Sequence, residues 1–253
     1  MILKADEGTA SNIVARYIAV CDVLGFSWLV QNTSLEDVRD GYREIIKNAM
    51  GASKLTSKTT WPDSRIERSV TDLVGTAVFS DSIVVWSRPL DSQLPEPYPG
   101  ARAVSFFAFM GQLILFSLRK TRFGLRFPSR AGIAYGAAAI LPEEQVYVGK
   151  PIVYAHQMEQ AQQWVGAACH PSCFQAPDFE IVGNEYRYVT DYPVPLDKER
   201  RAAVLNPDRP DLLPVAVAWP SMIWNLPQGP EDYYMKNIKD LVRTREASVE
   251  SRT

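Results

Sequence analysis

Cysteine is scarce, basic charge has no excess, and no apolar run reaches the length of a membrane span. Each absence excludes something. The three cysteines, Cys21, Cys169 and Cys173, are an odd number without framework spacing, so a disulfide-stapled secreted scaffold is excluded. The pair in CHPSC lacks the second pair that a closed zinc site needs, and reads as a loop with reduced thiols. A formal net charge of −2 offers no basic field for nucleic acid or an anionic membrane. A phosphate-bearing partner must therefore be met locally, by a metal or a few cations. With no spanning run, and no signal-peptide core in MILKADEGTASN, the expected location is cytoplasmic.

What is present is ordinary globular composition. The 253 residues are 46% hydrophobic and 22% charged, enough for one sizeable domain with or without an extension. Residues 1–12 read as a loose tail, and YIAVCDV (17–23) as a buried strand ending in LGF. Ser34, with Asp37 three residues on, opens a helix whose apolar positions are Leu35, Val38, Tyr42, Ile45, Ile46 and Ala49. Residues 51–72 form a polar connection, long enough for a loop or a short second helix. Two β-like runs, 73–79 and 82–86, flank Ser80-Asp81 as a hairpin. The proline-rich 91–100 is a loop, and 103–120 is a helix apolar nearly all round. RAGIAYGA (130–137) reads as a strand, and Pro151 opens a helix running to about Trp164. Strands at 185–190 and 213–219 and a helix at 231–245 follow. Trp61, Trp86 and Trp164 are core or interface residues. The expectation is an α+β fold, a mixed sheet flanked by helices.

Two acids stand out against this frame. Asp22 ends the first apolar strand and Asp81 sits on the hairpin turn, with no lysine or arginine within four residues of it. A carboxylate at the edge of a buried strand is costly unless it is paired or metal-bound. Two carboxylates side by side repel, and a divalent cation removes that repulsion while reaching phosphate oxygens. Ordinary turn aspartates are the other reading.

The motifs around these acids resemble a family. AVCDVLGF, ending in Asp-x-x-Gly-Phe, is similar to the first strand of class III nucleotidyl cyclases, and AVFSDSIVV to their hairpin with the second metal aspartate. RAGIAYG resembles their Arg-x-Gly-Ile-x-x-Gly strand, and VGKPIVYAHQME their strand-to-helix segment ending Arg-Met-Glu. The four motifs occur in order and span about residues 13–190, leaving 191–253 as a C-terminal extension. The resemblance implies metal ligation by Asp22, Asp81 and the carbonyl of Val23. It also implies two divalent ions per site, Mn²⁺ or Mg²⁺, over a nucleoside triphosphate.

Departures from the pattern narrow the expectation. The base-reading lysine of the purine cyclases falls on Ala77, their acidic partner on Val146, and their helix asparagine and arginine on Val153 and Gln157. Alanine and valine cannot hydrogen-bond a purine edge. The chain resembles most the prokaryotic Pycsar pyrimidine cyclases, which lack that pair. This implies a homodimer with sites at the interface, conversion of UTP to cyclic UMP in anti-phage defence, and a separate effector activated by the product. A cytidylate cyclase and a degenerate, binding-only domain are the alternatives. Arg130 is a phosphate contact or a solvated strand end, and Lys150 a phosphate contact or a surface lysine. Phe26 follows the metal strand as a substrate contact. Tyr154 and Gln157 share a helix face from which one could meet the base, with Gln157 in the place of the catalytic arginine.

Overall fold

The computed structural model describes residues 13–60, 73–88, 100–184, 187–205 and 213–218, with side chains described outside 53–60. The anticipated tail, the 231–245 helix and Trp61 lie outside the described residues. The sheet has eight strands and is mostly antiparallel. Its order is β2 (Val74–Phe79), β3 (Ser82–Ser87), β1 (Ile13–Val23), β4 (Ser129–Leu141), β6 (Gly166–Cys169), β8 (Val215–Val217), β7 (Val189–Thr190). β5 (Val146–Gly149) pairs with the far half of β4, and β6 runs parallel to its near half. The mixed α+β architecture expected from the sequence is the one observed.

β1 alternates between two cores, as a central strand with both faces covered must. Tyr17, Ala19, Cys21 and Val23 face the larger core with α2 (Leu35–Thr60) and α3 (Ala101–Leu118). Ile18 and Val20 face a smaller core with Trp86, Ala134 and Ala155 of α4 (Lys150–Ala161). Ser34 caps α2 as expected, its hydroxyl accepting the Asp37 N–H at 3.1 Å. Val38, Tyr42, Ile45 and Ala49 are buried, but Leu35 at the first turn is exposed.

Several expectations need correction. A short helix, α1 (Phe26–Asn32), follows β1, hidden in the sequence because LGFSWLV reads as a continuous apolar run. α2 continues through Gly51 to Thr60 rather than breaking there. The thiols of CHPSC are free, as expected, but the segment is not a loop: Cys169 ends β6, Cys173 lies in a 3₁₀ turn (Pro171–Gln175), and both are fully buried. α3 is long and apolar enough to cross a membrane, contrary to the reading of run lengths. It serves instead as the central helix of the larger core, 83% of it buried. The strand expected at 185–190 shrinks to β7, preceded by α5 (Phe179–Asn184). Beyond residue 190 the chain stays with the sheet. A short helix, α6 (Arg201–Val204), buries Val204 against Met158 and Ala168, and β8 pairs with both β6 and β7.

Candidate active site

Chain geometry brings the two acids together. β1 and β3 pair with Asp22 opposite Ser82, and β2 and β3 close on Phe79 opposite Ser82, leaving Ser80-Asp81 as a two-residue turn. Ser80 takes φ +53°, the conformation such a turn demands of its first residue. The turn is fastened to the end of β1. The Asp81 carbonyl accepts the Val23 N–H at 3.0 Å and the Tyr42 hydroxyl at 3.1 Å. Asp81 is thereby held beside Asp22.

Asp22 belongs to the even-numbered residues of β1, so it stands on the α4 side of the sheet. Its register partner on β4 is Arg130, whose Nη2 lies 3.6 Å from its carboxylate. The Asp22 carboxyl is held above the usual carboxylate range, mainly by burial. Arg130 opposes that shift and the charge of Asp81 adds to it. Repulsion between two neighbouring carboxylates is the condition a cation relieves.

Arg130 is not a solvated strand end. Its Nε donates to Glu159 of α4, and its Nη1 donates to the Gln162 carbonyl at 3.2 Å. α4 can reach β4 this closely because Gly132 lies beneath it. A Cβ on Gly132 would sit 2.0 Å from the Ala155 carbonyl oxygen. The glycine of RAGI is therefore a packing requirement of the site.

The other expected residues fall elsewhere. Phe26 opens α1 and packs against the larger core, its ring centroid 6.0 Å from that of Tyr42. Lys150 is exposed at the first turn of α4 and Gln157 is half-buried two turns on. Tyr154 stacks on His170, centroids 4.6 Å apart and planes 13° apart, so one face of its ring is taken. At 1.5 Å per residue, Lys150 lies about 13 Å along the helix axis from Glu159. Within one chain the acids and the N-terminal half of α4 are thus separate clusters. Beside that half, Tyr147 sits between Phe79 and Trp86, each 5.6 Å away by ring centroids, against Ala77 and Val84. Tyr147 and Glu159 were not among the candidate residues, although Glu159 closes the segment VGKPIVYAHQME.

Among the described residues, no three His, Cys, Asp or Glu side chains converge as a metal-holding group. The donors present are two carboxylates and backbone carbonyls. These hard oxygens suit Mg²⁺ or Mn²⁺, ions that routinely complete their shell with water and phosphate oxygens. The residues fit such an ion, provided that water or a ligand supplies the remaining oxygens.

No family model matches the chain, and no curated protein does. Solved structures similar to it are cyclase domains. The catalytic core of a rhodopsin-guanylyl cyclase with converted specificity, in complex with ATPαS, is 16% identical over 68% of this chain and 83% of its own, at TM-score 0.44. A monomeric guanylyl cyclase domain from the aquatic fungus Blastocladiella emersonii is 16% identical over 64% and 84%, at 0.40. The adenylyl cyclase CyaB from P. aeruginosa is 12% identical over 68% and 83%, also at 0.40. The likeness is partial at such scores, and it is the registers around Asp22 that bear on function.

Proposed function

We propose that the chain is a nucleotidyl cyclase that converts UTP to 3′,5′-cyclic UMP and pyrophosphate. One observation carries the reading: a half-buried carboxylate at the end of β1, with a second acid beside it, Asp81, whose main-chain carbonyl is fastened by the Val23 N–H and the Tyr42 hydroxyl. Two such acids side by side lower stability unless a cation joins them. Asp22, Asp81 and the Val23 carbonyl would hold Mn²⁺ or Mg²⁺, two ions per site with the nucleotide bound. A divalent ion there would supply charge neutralisation on the phosphates and a lowered pKa for the ribose 3′-hydroxyl.

The chain's own residues orient the rest. The 3′-oxygen forms a bond to the α-phosphorus, the bond to the bridging oxygen breaks, pyrophosphate leaves, and the hydroxyl proton is released. Because Lys150, at the first turn of α4, lies away from the Glu159–Arg130 end of that helix in one chain, it would serve the site of a second copy, which would make the active form a homodimer. Exposed apolar residues near that end of α4, Val148, Val153 and Phe79, suit such an interface. The wall around Ala77 and Tyr147 offers no purine-reading pair, which favours a pyrimidine. Cyclic UMP then acts on a separate effector, as a messenger in anti-phage defence.

Purified protein incubated with an equimolar mixture of the four NTPs and Mn²⁺, with products identified by mass, tests the reading. Mainly cyclic UMP is expected. Mainly cyclic CMP would move the assignment to the cytidylate alternative, and a purine product would sink the pyrimidine reading. No cyclic product would leave a binding-only domain. Asp22→Ala and Asp81→Ala should each lower the rate at least about 100-fold while the fold persists. Near-normal rates would return both residues to ordinary turn aspartates.

A further inference from the structure

Glu159 is almost fully buried, 2% exposed, on the same side of the sheet as Asp22. A carboxylate so placed requires a partner, and its partner is Arg130. The guanidinium is held from a second direction by the Gln162 carbonyl at 3.2 Å. Gln162 itself is immobilised: its amide donates to the carbonyls of Ala131 at 2.8 Å and Met158 at 2.9 Å, and accepts from the Trp164 indole at 2.6 Å. Two of the three guanidinium nitrogens are thus committed to acceptors on a rigid platform. The third, Nη2, faces Asp22 at 3.6 Å, beyond hydrogen-bond range.

That arrangement sets up a competition. Arg130 is paired with two carboxylates among the described residues, Glu159 closely and Asp22 loosely. A guanidinium released from Glu159 would form the bidentate pair with Asp22 that arginine favours, filling the oxygens a cation needs. We infer that Glu159 is a positioning residue that holds the Arg130 guanidinium back from Asp22, keeping that carboxylate open to a divalent cation. The inference rests on Asp22 being a metal ligand. It also changes the part given to Arg130, from reaching phosphate to being restrained beside the metal aspartate.

The test is titration of the full chain with Mn²⁺ alone, reading free Mn²⁺ by electron paramagnetic resonance, without nucleotide or turnover. Glu159→Gln keeps the shape and removes the charge, and should weaken Mn²⁺ binding about tenfold. Adding Arg130→Gln removes the competitor, and should restore affinity to within a factor of about three of wild type. A merely structural role does not give such a reversal, since the second substitution would leave or deepen the loss. Wild-type affinity in Glu159→Gln, or a double variant as weak as the single, overturns the inference. Should Glu159→Gln fail to fold, the neutral double variant decides by itself: affinity within a factor of about three of wild type, or above it, supports the inference, and a larger loss overturns it. Asp22→Ala separates the two levels. If it binds Mn²⁺ like wild type, the metal reading falls and the inference with it. If it loses Mn²⁺ while Glu159→Gln does not, the inference alone falls.

Discussion

His170 lies where β6 gives way to the 3₁₀ turn, stacked on Tyr154, its Nδ1 accepting the Ser172 N–H at 3.1 Å. An imidazole with an acceptor role at Nδ1 is neutral, and protonation would place a proton against that N–H. Burial accordingly pushes its pKa down to about 4. The unfolded chain takes up this proton near pH 6.5 and the folded chain does not. The stabilisation is therefore complete above about pH 6.5 and is lost as pH falls toward 4. Urea unfolding at pH 7 and at pH 4.5 should differ by about 2 kcal/mol from this residue. His170→Gln should remove that part of the slope, and an unchanged slope would show that the ring is protonated in the fold. Legibility was uneven at this scale. That Asp22 and Asp81 stand at strand end and turn could be read, because Asp22 interrupts an apolar strand and Ser80-Asp81 separates two apolar runs. Glu159 could not, since its role depends on an arginine 29 residues away in sequence, which only the β4–α4 crossing brings within reach.

The contact between α4 and β4 depends on one missing side chain. Gly132→Ala would drive a Cβ into the Ala155 carbonyl and against the Glu159 backbone nitrogen, 2.5 Å from it. Backbone cannot yield as a flexible side chain does, so the helix must lift off. A loss of about 3 kcal/mol is expected in denaturant unfolding. The displaced Glu159 would also weaken Mn²⁺ binding in whatever fraction still folds. Full stability in this variant would mean that α4 is not seated on β4 as described. Elements were legible where their period was long or their punctuation strong. The β2–β3 hairpin has two apolar runs around Ser-Asp, and α3 has eighteen nearly uninterrupted helical residues. β6 escaped because it has only four residues, and Gly-Ala-Ala-Cys lacks the branched and aromatic side chains that mark a strand; of the equally short β5 only the end, at Val148-Gly149, was anticipated. The far end of α2 escaped because its polar sequence carries no apolar period to follow.

For the whole molecule, the separation of the acids from the N-terminal half of α4 predicts sites shared between copies. Asp22→Ala and Lys150→Ala, inactive alone, should regain about a quarter of the wild-type rate when mixed equally. Half of the dimers would then be mixed, each with one intact site. Proven subunit exchange with no rescue would confine each site to one chain. The sheet order bears on a different matter, the order in which this chain is made. β6 is extruded with one neighbour, β4, already present, while β8, its other neighbour, is synthesised only after the chain has gone on through α5, β7 and α6. At about 5–20 residues per second, that interval lasts a few seconds. Throughout it the edge of β6 at Ala168 and Cys169 waits for the strand that pairs with it. Synthesis is thus an interval in which this chain carries an open strand edge, and β8 closes it at Ala168 and Cys169.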